Sequence, residues 1–425
     1  MAGSKFETGR DFAIEMNARD PLAAYRDRFH IPKGPGGADC VYLCGHSLGL
    51  QPKTARGYVE RELEDWAKLG VEGHFHAQNP WMPYHELLAA PTARLVGASP
   101  EEVVVMNSLT VNLHLMLVSF YRPTAARNRT LIESNAFPSD QYAVQSQIRY
   151  HGYDPASSLI EIGPRPDEKA IRTEDIENLL TEEGERIALV ILGGVNYYSG
   201  QAFDCARIAA AGRSRGCVVG FDMAHAAGNI PLRLHDWNAD FAVWCSYKYL
   251  NGGPGCIAGC FVHERHARNP DLPRFAGWWG NDKAARFRME PQFQAIPGAE
   301  GWQLSNPSIV SMAALRASMD IFDEAGIEQL RAKSVELTGY LAFLLEQTTS
   351  ESFSIITPRD PAQRGAQLSL QIKSNGRALC DRLSRQGIIC DWREPDILRV
   401  APVPLYNSFL DVHTFAEKFL AEMEK

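Results

Sequence analysis

Between Val103 and Val262, short apolar runs alternate with stretches of helical periodicity, and that alternation restricts the fold more than any other property of the chain. The runs 103–106, 130–133, 159–162, 187–192, 217–221, 241–245 and 256–262 are rich in β-branched and aromatic residues and bounded by turn formers, as buried strands are. Helical patterns stand between them, up to Phe120, from Gln141, over 173–182 and over 205–215. This order predicts an α/β unit built on a mainly parallel sheet.

Two of the runs end in reactive side chains. Residues 217–221 lead into Asp222, and residues 241–245 lead into Ser246, Tyr247 and Lys248. Ligands of open α/β sheets sit at the carboxyl ends of strands, so both groups are expected to converge on one crevice. A lysine flanked there by Tyr247 and Tyr249 is expected to be shielded from water and to serve as a Schiff-base nucleophile. A strand-end aspartate can pair with a ring-nitrogen cation. Together they match the two demands of pyridoxal phosphate, an amine for its aldehyde and an acid for its pyridinium. Taken singly, Asp222 reads as a turn cap and Lys248 as a snorkelling surface cation; the combination favours the cofactor. Upstream, Asn107, Ser108, Leu109 and Thr110 join a strand to a helix, where free backbone N–H groups form an anion site or, more simply, an ordinary hydroxyl cap.

The remaining segments frame this unit. Residues 1–38 read as one or two short helices and a Gly/Pro loop, followed by a short strand and turn in VYLCGHSLGLQP. Val59, Leu63, Trp66 and Leu69 recur at helical spacing over 54–69, which predicts Trp66 in the core and Gly70 as helix terminator. After Pro307 come helical stretches at 309–323 and 327–346, a strand at 367–372, a helix at 377–386 and a strand at 388–391, a plausible small α+β domain. At 425 residues the chain exceeds one ordinary core, so the expected division is a large domain over 54–308 and a small domain from 1–53 and 309–425. A net charge of −8 without a basic cluster argues against a nucleic-acid partner. Nine cysteines, an odd number without a Cys-x-x-Cys pair, fit a reducing compartment. With no apolar leader and no membrane-length run, the expectation is a cytoplasmic protein with no membrane attachment. There is no P-loop or Gly-x-Gly-x-x-Gly turn of the kind a nucleotide-binding α/β protein needs.

The words CGHSLGLQP, NSLTVNLHL, AFPSDQYA, FDMAHAAGN, WCSYKYLN, GWWG, LSNPS and RVAPVPLYNSF, in this order over almost the whole chain, resemble the fold-type I, aspartate-aminotransferase-like family of pyridoxal-phosphate enzymes and, within it, the kynureninases. The resemblance implies a large domain with a mixed, mainly parallel seven-stranded sheet, a small α+β domain, and a homodimer with active sites at the subunit interface. It implies hydrolysis of the β–γ carbon–carbon bond of 3-hydroxykynurenine and kynurenine to an anthranilate and L-alanine, in tryptophan breakdown and NAD synthesis, and no metal. By the same resemblance Lys248 carries the cofactor, Asp222 meets its ring nitrogen, Phe137 stacks on the ring, and Asp140 and His225 lie beside it. Leu109, Thr110 and Tyr247 hold the phosphate, with Trp278 and Asn306 reaching in from a second subunit. Tyr247 is also the candidate proton relay, and Arg399 forks onto the substrate α-carboxylate. Ser47, His74 and Asn306 match the polar set of relatives that favour the 3-hydroxylated substrate. Two positions depart from that pattern: His46 stands in place of an asparagine and Gly193 in place of a serine. A cysteine desulfurase or aminotransferase is the nearest rival; the former wants a cysteine on a mobile loop, whereas these cysteines fall mostly in apolar runs. A non-catalytic binding protein of this fold is disfavoured because a competent residue fills every catalytic position.

Overall fold

The computed structural model describes residues 6–267, 269, 271–348 and 351–424. The alternating runs become seven strands, β1 (Val103–Met106), β2 (Arg129–Glu133), β3 (Leu159–Ile162), β4 (Ile187–Gly193), β5 (Val218–Asp222), β6 (Phe241–Trp244) and β7 (Ala258–Val262). They form one sheet in the order β1-β7-β6-β5-β4-β2-β3. Only β7 runs against its neighbours, so the sheet is mixed and mainly parallel, as the sequence predicts. Successive side chains serve opposite faces. Val103, Val105, Val190, Val219 and Ala242 join the core on one side, while Val104, Met106, Leu189, Phe241 and Val243 join the core on the other. Burial on both faces is why these strands read as unbroken apolar runs.

Helices Leu109–Phe120, Pro138–Tyr150, Thr173–Glu183 and Cys205–Ser214 supply crossovers. The link from β5 to β6 contains no regular helix; it is a string of turns whose residues Met223, Ala224, His225, Ala226 and Ala227 are buried. That leaves the edge above β5 open for side-chain chemistry.

A second, antiparallel sheet contains β8 (Phe353–Ile355), β9 (Leu368–Ile372), β10 (Asp391–Arg393) and β11 (Ile397–Val400), in the order β10-β11-β9-β8. Beyond the predicted elements the structure adds β8, β11 and the final helix, Phe409–Met423, and the single strand expected at 388–391 is two, Ile388–Ile389 and β10. That helix carries a legible signal, since Phe409, Val412, Phe415, Ala416 and Phe419 form its buried stripe and Ser408 with Asp411 makes a capping box. Val41–Tyr42 pairs in parallel with Ile388–Ile389, which ties the first part of the chain to this sheet. Helix Ile309–Ala325 instead puts Met312, Ala313 and Leu315 into the same core as Val103 and Val190. No helix among the described residues is long and apolar enough to cross a membrane.

Trp66, expected in the core, is 65% exposed. In helix Ala55–Leu69 the fully inward position is held by Glu62, whose carboxylate accepts the Trp81 indole N–H at 3.0 Å and the Tyr84 hydroxyl at 2.9 Å. Apolar spacing identifies a stripe but not how far its cover extends, and Trp66 lies in the helix's last turns with Leu63 also exposed.

A second buried carboxylate ties the start of β1 to the end of its neighbour β7. Glu102 accepts the Ser99 amide at 2.9 Å, the Glu264 amide at 2.8 Å and His235 Nδ1 at 3.0 Å. Glu102→Ala removes one buried acceptor shared by three donors, and urea unfolding should register a loss of about 3 kcal/mol. A loss below about 1 kcal/mol would mean that water replaces the carboxylate there.

Candidate active site

The site lies along the carboxyl edge of the main sheet, where Glu133 ends β2, Gly193 ends β4 and Asp222 ends β5. The Asp222 side chain is buried, and its Oδ1 accepts the Ala224 amide at 2.7 Å, which fixes the carboxylate, with Asp140 as its neighbouring side-chain partner. Lys248 stands in the turn after β6. Its Nζ is 3.1 Å from His225 Nε2, 5.6 Å from the centre of the Phe137 ring and 5.9 Å from that of Tyr247. The Cys44–Leu50 turn holds the lysine backbone in place. Gly49 donates its N–H to the Tyr247 carbonyl at 2.8 Å, and a Cβ at Gly49 would sit 2.3 Å from the Lys248 carbonyl oxygen. Gly49→Ala therefore has to displace the lysine turn. We expect about 1–3 kcal/mol of destabilisation together with weakened cofactor retention, both read by thermal melting and cofactor absorbance.

At the other end of the cavity, Asn107 adopts a left-handed conformation (φ 50°) and Ser108 begins helix Leu109–Phe120 without a side-chain cap. The first amides of that helix thus remain available to an anion. Thr110 Oγ1 lies 3.1 Å from Ser139 Oγ, at the start of helix Pro138–Tyr150.

Burial sets the charge states in between. It pushes the carboxyl pKa values of Asp222, Asp140 and Glu133 upward, that of Glu133 to about 7; the Asp222 charge adds to the rise at both Asp140 and Glu133. It drives His225 well down, assisted by the Lys248 cation, so His225 is a neutral imidazole whose Nε2 can accept from the ammonium. Burial also raises the Tyr247 hydroxyl, which stays protonated at neutral pH. Asp140 Oδ1 and His225 Nδ1 are buried without hydrogen-bond partners. Such atoms call for a bound group. These residues fit pyridoxal phosphate: helix-start amides for the phosphate, Phe137 as a stacking face, a carboxylate for the ring nitrogen and an amine for the aldehyde.

Glu133 was not among the residues singled out from sequence, although it ends an apolar strand just as Asp222 does. Its Oε2 accepts the Gly193 amide at 3.0 Å, and a Cβ at Gly193 would lie 3.0 Å from its Oε1. The departure at Gly193 thus leaves room for this carboxylate. Tyr197 is a second unanticipated residue, edge-on to Phe137 with ring centres 5.2 Å apart.

Arg399, 1% exposed, approaches from β11. Its Nη1 donates to the Tyr197 carbonyl at 2.8 Å and its Nη2 to Asp391, while its Nε has no partner. The other departure, His46, is fully buried beside this pair, with Nε2 3.5 Å from Asp391. Burial and Arg399 lower the His46 pKa to about 3.

Leu109, Thr110, Phe137, Asp140, Asp222, His225, Tyr247 and Lys248 line one cavity. Ser47, His74, Trp278, Asn306 and Arg399 do not line it; Arg399 reaches the cavity wall only through the Tyr197 carbonyl. Ser47 belongs to the turn below the lysine, its amide bonded to Cys44. His74 Nδ1 is 2.9 Å from the Val71 carbonyl, and its ring meets Trp81 edge-on. Trp278 donates to the Arg286 carbonyl and contacts Trp279 and Phe287. Asn306 lines a neighbouring cavity with Asn107 and Ser108, on the flank of the helix start.

This fold is the one found in fold-type I pyridoxal-phosphate enzymes. The chain aligns with C-DES carrying a glycine covalently linked to the cofactor at a TM-score of 0.77 and 18% identity, covering 93% of this chain and 98% of that one. A cysteine desulfurase from Escherichia coli aligns at a TM-score of 0.75 and 17% identity, covering 95% and 98%. Within that class the chain belongs to the kynureninase family. It is 65% identical over 423 residues to the kynureninase of Koribacter versatilis (strain Ellin345), covering 100% of both chains. It is 60% identical over 412 residues to that of Myxococcus xanthus (strain DK1622), covering 97% of each. Residues 330–419 match the kynureninase C-terminal domain.

Proposed function

We propose that the protein hydrolyses the β–γ carbon–carbon bond of kynurenine and 3-hydroxykynurenine, releasing anthranilate or 3-hydroxyanthranilate and L-alanine. The observation that carries this reading, beyond family membership, is the juxtaposition of Lys248 Nζ, His225 Nε2 at 3.1 Å and the buried Asp222 carboxylate at the edge of one mainly parallel sheet. Pyridoxal phosphate, when bound, supplies an electron sink for charge developing on the substrate carbons. Lys248 anchors it and afterwards moves the α-proton on Nζ; neutral His225 accepts a hydrogen bond from that amine and orients it. Asp222, fixed by the Ala224 amide, holds a proton on the ring nitrogen. Phe137 would offer its face to the ring, and Asp140, Leu109, Thr110 and Tyr247, which line the same cavity, would hold the rest of the group. The Tyr247 hydroxyl, kept protonated by burial, donates the proton needed as the carbon–carbon bond breaks. Arg399 receives the substrate carboxylate.

The active unit in this reading is a homodimer. His74, Trp278 and Asn306 lie off their own lysine cavity, and Val71 and Phe75, which contact His74, are more than half exposed, which supports a partner surface there. Ser47, His74 and Asn306 then form the aryl end of a shared site and favour the 3-hydroxylated substrate. The cysteine usage supports a cytoplasmic setting. The separate cluster formed by Leu337, Leu370, Val400 and Phe415 supports a small domain distinct from the main sheet.

Purified, cofactor-loaded protein given 3-hydroxykynurenine should release 3-hydroxyanthranilate and alanine in equal amounts. Sulfide release from cysteine with no anthranilate product would replace this reading with the desulfurase one. The burial of Cys40, Cys44, Cys205, Cys217, Cys245, Cys256 and Cys260 argues against that outcome.

A further inference from the structure

Arg399, proposed above to receive the substrate carboxylate, is surrounded by other charged groups. Asp391 Oδ2 bonds Arg399 Nη2 and also lies 3.1 Å from Arg393 Nη2 and 3.5 Å from His46 Nε2. Asp391 and Arg393 belong to β10, and Asp391 stands directly across the sheet from Arg399 on β11. Glu394, the next acid along the chain, is engaged elsewhere, with Arg377. His46 is neutral at physiological pH because burial and Arg399 lower its pKa to about 3. The local count is therefore two guanidinium cations against one carboxylate, an excess of one positive charge in a largely desolvated place.

We propose that Asp391 is a resident stand-in for the substrate α-carboxylate and that Arg393 is a specificity-determining residue which takes Asp391 over when substrate arrives. A buried guanidinium without a counter-ion is costly, so Arg399 needs Asp391 before substrate binds. The incoming carboxylate supplies the one missing negative charge. It forks onto Arg399 Nε, which has no partner, and an adjacent terminal N–H. Asp391 then shifts its weight onto Arg393, whose side chain is 39% exposed and can follow it. Neither residue touches the reacting carbons, so both act on binding, and the net charge selects ligands with one carboxylate over ligands with two.

This inference rests on Arg399 receiving the substrate carboxylate, and the test separates the two. Three variants of the holoenzyme, Arg399→Lys, Arg393→Gln and Asp391→Asn, are assayed with kynurenine, and propionate and succinate are compared as competitive inhibitors. Arg393→Gln should raise KM about tenfold, the scale of one charge-assisted hydrogen bond, with kcat within about twofold. Asp391→Asn leaves two uncompensated arginines, so succinate should gain about tenfold over propionate, an improvement that mere loosening of the structure cannot produce. If Arg399→Lys leaves KM unchanged, the carboxylate reading itself falls. If Arg399→Lys raises KM while Arg393→Gln leaves it unaltered and the succinate-to-propionate ratio stays at the wild-type value, only the present inference falls. Should Asp391→Asn fail to fold, the KM of Arg393→Gln decides the outcome alone, since a half-exposed side chain can be replaced without unfolding the sheet.

Discussion

Lys248→Ala should abolish turnover, lowering kcat by about 10⁴-fold or more, the order lost when a group that acts in every chemical step is deleted, while the protein stays folded. The structure separates these two outcomes because the lysine side chain makes one close polar contact, to His225, and contributes nothing to either hydrophobic core. Melting temperature should stay within a few degrees of wild type, and the visible absorbance of lysine-bound cofactor should be missing. A third readout is internal to the site. The Lys248 cation is one of the causes that hold the His225 pKa down, after burial, so its removal should move the imidazole pKa upward, measurable by NMR. Retention of more than about one per cent of wild-type activity, far above what deletion of such a group leaves, would remove Lys248 from the chemistry.

The features this experiment addresses were unevenly legible in the sequence. Asp222 and Lys248 were readable because each closes an unbroken apolar run, and a doubly buried parallel sheet forces such runs to be unbroken. Glu133 follows the same rule at the end of β2, yet a lone acid carries no chemistry until its neighbours are known; the nearby Gly193 amide and Asp222 give it meaning. The grouping of Asp391 and His46 with Arg399 has no local signature, since it arises only through the pairing of β10 with β11 and the seating of the Cys44–Leu50 turn. Trp66 shows the converse failure. Helical periodicity reports which residues share a face, but the burial of that face depends on where neighbouring elements end, and Glu62 took the inward place. The placements of Trp278, His74 and Asn306 away from their own lysine cavity are likewise tertiary facts with no local signature.

Asp222→Asn should divide activity from stability. The amide has the size of the carboxylate and can keep the Ala224 N–H bond through its oxygen, but it cannot hold a positive charge on a ring nitrogen. We expect kcat to fall about 10² to 10³-fold, the range seen when one preorganised electrostatic partner is removed. The cofactor-free variant should at the same time melt higher than wild type. Asp222, Asp140 and Glu133 are buried carboxylates whose pKa values are raised chiefly by desolvation, and the Asp222 charge raises the other two further. Taking that charge away relieves its neighbours as well as its own burial. The pH dependence fixes the sign. A carboxyl group raised in the folded protein favours folding fully below its unfolded pKa, near 4.5 for Glu133, and loses that contribution as pH climbs through its folded value of about 7. Wild-type cofactor-free protein should accordingly lose stability from this group between pH 4.5 and 7, and Asp222→Asn should shrink the loss because it lowers the Glu133 pKa. Chemical denaturation across that window measures both curves. A variant less stable than wild type at every pH would show that the Asp222 charge is not strained in the free protein, and one that keeps kcat within tenfold would show that the reaction does not need it.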